Sequence, residues 1–130
     1  MDAKQLLILG ASLLATAGGG AAIAEETHRP YVQVAEIEID PAQLEAYKAA
    51  VHEQIETAIR VEPGVLVLYA VVDNDNPTHV RVFEIYADTD AYQSHLQSAH
   101  FKKYKSITEK MVKSLRLVQT VPIMLGAKAK

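Results

Sequence analysis

The feature that most constrains this chain is a paired run in its middle. Residues 65–72 read VLVLYAVV, an unbroken stretch of β-prone side chains. The turn cluster DNDNP follows, and HVRVFEIYA at residues 79–87 then alternates Arg81, Phe83 and Ile85 against Val80, Val82, Glu84 and Tyr86. Two such runs around a turn rich in Asp, Asn and Pro predict an antiparallel hairpin. The first run lacks alternation, so burial on both of its faces is expected.

The flanking segments complete the order. YVQVAEIEI at residues 31–39 predicts a strand, with Glu36 and Glu38 on one of its faces. Asp40-Pro41 supplies a cap and a first-turn proline, and Leu44, Tyr47, Val51, Ile55, Ala58 and Ile59 recur at helical spacing through Val61. Glu62-Pro63-Gly64 ends that helix, because proline cannot continue the hydrogen-bond ladder. Asp88 or Asp90 caps a short helix to Gln97, Ser98 caps another to about Lys113, and Leu115–Ile123 closes as a strand. The sum is an α+β fold, a ferredoxin-like βαββαβ unit over residues 31–123 whose second helix is broken in two. A four-stranded sheet with helices on one side has a second face to cover, and a second subunit is its expected cover.

Met1 to Ala24 has Lys4, an apolar run from Leu6 to Ala15, and small residues ending in Ala22-Ile23-Ala24. That three-part pattern predicts a signal peptide cleaved after Ala24 and a periplasmic or secreted product, with residues 25–30 as a linker and 124–130 as a flexible tail. The apolar run falls far short of the roughly 20 residues of a membrane-spanning helix, so no membrane association is expected after cleavage. The 130 residues contain no cysteine, so disulfides cannot staple the product and oligomerisation gains weight. A net charge of −3 argues against a nucleic-acid partner. Charge is uneven: residues 25–90 hold 14 acids and 4 bases, and residues 91–130 hold 1 acid and 8 bases. The solvated face of a helix accounts for the basic part.

HLQSAHFKKY at residues 95–104 concentrates side chains capable of chemistry. His95 and His100 are five apart, roughly 140° on a continuous helix, and no third ligand lies nearby in sequence, so no metal site is expected. On a helix starting at Ser98, His100 shares a face with Tyr104, Ile107 and Met111. It sits in the first turn, where the positive helix end and burial both oppose protonation, which suits a proton acceptor. The plainer alternative is a buried histidine satisfied by a backbone partner. His95 lies toward a helix end, where a surface role suffices.

VAEIEIDP, EPGVLVLY, VFEIYAD and AYQSHLQSAHFKKY together resemble the antibiotic biosynthesis monooxygenase family, dimeric α/β-barrel proteins that include cofactor-free quinol monooxygenases. The last stretch carries most of the resemblance: a histidine, four residues, then a second histidine followed by an aromatic or methionine. Ala99 stands where many members have proline. The resemblance implies a homodimer, a small quinol or phenolic aromatic and dioxygen as substrates, no cofactor, and His100 as general base. His95, Tyr86, Tyr104 and Arg81 are then the expected polar lining of the pocket. Glu36 and Glu84, charged residues on buried strands, call for partners, and a polar network between strands is the expectation for both. The haem-degrading relatives fit poorly, since Ile37 and Tyr86 stand where they use asparagine and tryptophan. The competing reading is a non-catalytic dimeric periplasmic protein that binds a small apolar ligand or haem.

Overall fold

The computed structural model describes residues 29–129. The signal peptide expected at residues 1–24 and most of the expected linker lie outside the described residues. Strand β1 (Tyr31–Ile39) leads through a short 3-10 turn (Pro41–Gln43) into α1 (Leu44–Val61), followed by β2 (Val65–Asp73) and β3 (Asn76–Tyr86). Helices α2 (Thr89–Gln97) and α3 (Ala99–Thr108) come next, and β4 (Val112–Thr120) closes the chain. The strands form one antiparallel sheet in the order β2-β3-β1-β4, the βαββαβ ferredoxin-like arrangement that the sequence predicts. Among the described residues no helix is long and apolar enough to cross a membrane.

The local devices match the residues that supply them. Asp40 accepts from Ala42 N at 3.1 Å at the entry to α1, and Asp88, rather than Asp90, caps α2 through Ala91 N at 2.8 Å. Ser98 performs two tasks at the helix break: its Oγ donates to His95 O at 2.7 Å and accepts from Phe101 N at 3.3 Å. Two boundaries differ from expectation. Helix α3 ends at Thr108, whose hydroxyl bonds back to Tyr104 O, and a turn closed by Met111 N to Thr108 O at 2.8 Å starts β4 at Val112. The last strand therefore stops at Thr120 rather than Ile123.

Helices cover one face of the sheet. Ala35, Ile37, Ile39, Val80 and Val82 pack with Tyr47 and Val51 of α1, and a second cluster joins Ala58, Val65, Leu68, Tyr86 and Tyr92. Both clusters lie on that inner face. The outer face carries cross-strand rows, Tyr69-Phe83-Val34-Val118 and Val67-Ile85-Val32-Thr120. Tyr69 is 63% exposed and Phe83 42%. Burial of both faces of β2, expected from its unbroken apolar run, is thus not provided by the described residues: Leu66, Val71 and Val72 are exposed as well.

Candidate functional site

A cavity of about 270 Å³ opens between the inner face of the sheet and the three helices. Ala35, Ile37, Val51, Ile55, Val82 and Leu117 supply apolar wall; the polar groups include Gln33, Gln54, Glu84, Tyr86, Tyr92, His95, Tyr104 and Lys105, with Gln97, Lys102 and Thr108 beside them. Such a cavity, mostly apolar with a few converging polar groups, is the usual form of a small-molecule site.

Its most ordered polar cluster begins at the end of α1. Pro63 disfavours helical geometry at the residue before it, so Glu62 leaves the helix with φ −107° and ψ 104°. Gly64 then lets α2 approach: a Cβ there would stand 2.6 Å from Ala91 Cβ. The close packing brings the Glu62 carboxyl under the α2-α3 junction. Glu62 Oε2 receives His95 Nδ1 at 2.7 Å and His100 Nε2 at 2.6 Å. A carboxylate oxygen can only accept, so each ring nitrogen that faces it donates, and in a neutral ring the other nitrogen, His95 Nε2 or His100 Nδ1, is then the acceptor.

The break at Ser98 is what makes this possible. On a continuous helix the two rings would diverge, whereas here they converge on a residue 33 positions upstream of the first. The expectation that no third ligand stands near the histidines is therefore corrected. Glu62, His95 and His100 offer ligand atoms all within 4.8 Å of one another, a set able to hold a cation after adjustment. The contacts of 2.6 and 2.7 Å are hydrogen-bond lengths. Ligands around a tetrahedral zinc at about 2.0–2.1 Å stand roughly 3.3 Å apart, so the arrangement fits a hydrogen-bonded network better than a coordination shell.

The five residues expected at the site separate. His95, Tyr86 and Tyr104 line the cavity. Far from a helix-end surface position, His95 is 1% exposed and packs against Tyr86, His100 and Phe101. Burial pulls its pKa below the ordinary value, opposed by the hydrogen bond and charge of Glu62. His100 is absent from the cavity wall and backs the cluster from behind Glu62. Arg81 is on the outer face, where it pairs with Asp73 at 3.5 Å, because strand alternation carries it away from Val80 and Val82.

A second cluster faces the same cavity. Gln33 and Glu84 are cross-strand neighbours, and Gln33 Nε2 donates to Glu84 Oε1 at 3.2 Å while Tyr86 OH donates to the same oxygen at 2.6 Å. The network expected around Glu84 is present. Burial raises the Glu84 carboxyl to about 7, against the lowering effect of those bonds and of Lys105. Glu36 faces outward and meets Arg116 at 3.8 Å. Deeper in, Tyr47 and Tyr104 join hydroxyls at 2.6 Å, and burial pushes Tyr104 up to about 12.

These features match a known family. The family model for antibiotic biosynthesis monooxygenase covers residues 30–106. The chain belongs to the antibiotic biosynthesis monooxygenase family. A crystal structure of a protein named for this family, from Bacteroides thetaiotaomicron, is 48% identical, with a TM-score of 0.75 over 80% of this chain and 99% of that one. A protein named as a monooxygenase from Lactobacillus acidophilus is 29% identical, with a TM-score of 0.71 over 72% of this chain and 45% of that one. This chain thus spans less than half the length of the Lactobacillus relative. A family member from Nitrosomonas europaea, 22% identical with a TM-score of 0.69 over 74% of this chain and 92% of that one, shares the fold. No curated protein matches. Glu62 is the site residue that sequence reasoning missed. An acidic side chain at a helix C-terminus opposes the helix dipole, and that mismatch was the available signal.

Proposed function

We propose that the chain is an exported, homodimeric, cofactor-independent monooxygenase that acts on a small quinol or phenolic aromatic, with His95 as general base. The observation that supports this reading is the bond from His95 Nδ1 to Glu62 Oε2 at 2.7 Å, made by a histidine in the cavity wall. A carboxyl holding Nδ1–H presents Nε2 as acceptor and stabilises the imidazolium that forms when it takes a proton. The depressed pKa keeps the resting ring neutral. His100 acts indirectly: its bond to the same oxygen fixes the Glu62 carboxyl.

In this reading, His95 Nε2 removes a hydroxyl proton, and the electron-rich anion passes an electron to dioxygen. The resulting radicals join at a ring carbon. Loss of water then leaves one oxygen atom on the ring as a hydroxyquinone, so that quinol and dioxygen give hydroxyquinone and water. The quinol supplies all the electrons. The apolar wall excludes solvent from the reactive anion.

The outer-face rows support the homodimer, since Tyr69 and Phe83 form an apolar surface of the kind a second sheet covers. The signal-like pattern at residues 1–24 supports export to the periplasm or beyond.

The test is oxygen uptake with a panel of quinols by chelator-treated protein. Wild type should turn over, and His95→Ala should lose roughly 100- to 10,000-fold, the range for a general base. Uptake unchanged in His95→Ala would overturn the assignment of the base. Uptake lost on chelation would make Glu62, His95 and His100 a metal centre instead. Saturable quinol binding without uptake would leave a non-catalytic binding protein.

A further inference from the structure

The inner face of α1 contains an anomaly that the reaction above does not use. Tyr47, Val51 and Ala58 are buried along this helix at helical spacing, and Gln54 falls within that apolar stripe. It is 7% exposed, and its Oε1 is buried with no hydrogen-bond partner. Among the described residues it is the sole buried side-chain nitrogen or oxygen in that condition. An unpaired amide in an apolar setting is unfavourable, and leucine would fit the same stripe without that cost.

Gln54 also lines the cavity. The other polar groups of the wall that are not exposed are engaged with protein partners, Gln33, Glu84, Tyr86 and Tyr92 within one network, Tyr104 with Tyr47, Thr108 with Tyr104 O, and His95 with Glu62, whereas Gln97 and Lys102 are exposed. No group of the described residues donates to Gln54 Oε1, and a turn of the terminal amide would present it to a donor in the cavity that the side chain lines. The geometry separates this acceptor from the histidine. Glu62, which holds His95, lies eight residues further along α1, about 12 Å along the helix axis. Between them along the helix, Ile55 lines the cavity and packs against both apolar clusters.

We infer that Gln54 is a substrate-binding residue that accepts a hydrogen bond from a second donor group of the ligand, remote from the hydroxyl presented to His95. The ligand class is a dihydroxyaromatic whose two hydroxyls point to opposite ends of one ring. A monophenol would leave Oε1 unpaired. This rests on the reading of the cavity as the aromatic-binding site, and it gives that site a selection rule.

The test is calorimetric binding without oxygen, on the full chain, with hydroquinone and 4-methylphenol as probes of nearly equal shape. Wild type should bind hydroquinone about tenfold more tightly, the equivalent of one hydrogen bond of roughly 1.4 kcal/mol. Gln54→Leu should erase the difference by weakening hydroquinone while retaining or improving 4-methylphenol. Gln54→Glu, a second acceptor of similar shape, should retain the preference. Equal binding of the two probes by wild type, a preference that survives in Gln54→Leu, or no binding of either would overturn the inference. Because no turnover is measured, a protein that discriminates yet consumes no oxygen would sink the monooxygenase reading alone.

Discussion

The two faces of the sheet are built from the same four strands and do opposite things. On the inner face Gln33, Glu84 and Tyr86 sit among Ala35, Val82 and Leu68, and each finds a polar partner within the chain. On the outer face Val34, Tyr69, Phe83 and Val118 form an apolar row with no helix of the described residues above them. A polar group can be tolerated in a buried layer when it is paired, and an apolar row in water is tolerated when something else covers it. In the function proposed above, the inner face carries the chemistry of one chain, and the outer face is the surface that a second chain would cover. The α2-α3 junction belongs to the first system, and its perturbation is expected to have the largest effect. Glu62→Gln keeps the shape at the end of α1 but can donate to His95 Nδ1, which would then hold the wrong tautomer. Oxygen uptake should fall at least about tenfold, approaching the His95→Ala loss, with little change in the far-ultraviolet circular dichroism. Retention of full uptake would mean that the carboxyl does not orient the ring.

How much of this could be read beforehand depended on distance along the chain. The strand order followed from local pattern, because VLVLYAVV and HVRVFEIYA determine a hairpin whatever surrounds them. The Ser98 break was readable for the same reason: a serine hydroxyl caps a helix start within three residues. The end of α3 was not. Met111 continues the helical apolar phase from Tyr104 and Ile107, yet its backbone N–H closes a turn on Thr108 and its carbonyl accepts from Asp40 N at 2.9 Å. That long-range bond has no local signature. The site followed the same rule. His95 and His100 were visible as a pair, but Glu62 served as punctuation in the helix-ending EPG, and only the fold joins it to them. Arg81 was misplaced because a charged residue near a pocket in sequence can still point through the sheet to the other side.

The outer face sets the next largest effect. If the row Tyr69-Phe83-Val34-Val118 meets its counterpart on a second chain, lysines at its most exposed positions should prevent association. Sedimentation of Tyr69→Lys/Phe83→Lys at micromolar concentration should show a monomer where wild type shows a dimer, with lower thermal stability. The cavity side chains lie on the opposite face, so a residual binding of quinol by the monomer would separate the two systems. A double variant that still sediments as a dimer would remove the outer face from the interface.

Glu84 tests whether the inner face tolerates charge. Its carboxyl is raised from the ordinary 4.5 to about 7, so the folded state favours the protonated form. The sign follows by linkage. Below pH 4.5 the group is protonated in both folded and unfolded chains, and its relative contribution is fully retained. As pH rises through the folded value near 7, the unfolded chain is already ionised and the folded chain must ionise a buried group, so stability falls. The shift corresponds to roughly 3 kcal/mol as an upper bound. Denaturant unfolding at pH 5 and pH 9 should show Glu84→Gln gaining stability relative to wild type at the higher pH. A difference that does not vary with pH would mean that the Gln33 and Tyr86 bonds compensate fully for burial.

Gln54 is the exception to the contrast between the faces, a buried group on α1 turned to the inner layer whose oxygen has no partner among the described residues. If its place in the apolar stripe is kept for a ligand, its cost should show in the ligand-free protein. Replacing it with leucine removes the unpaired amide and fills the same volume between Val51 and Ala58. Relief of an unsatisfied buried polar group is worth about 1–3 kcal/mol, so ligand-free Gln54→Leu should unfold at higher denaturant with an unchanged slope. Saturating hydroquinone should then narrow the gap, since the ligand stabilises wild type more than the variant. A variant less stable than wild type without ligand would show that the amide is already satisfied in the resting fold, and Gln54 would join Gln33 and Glu84 as a structural member of the inner face rather than a group held in reserve for binding.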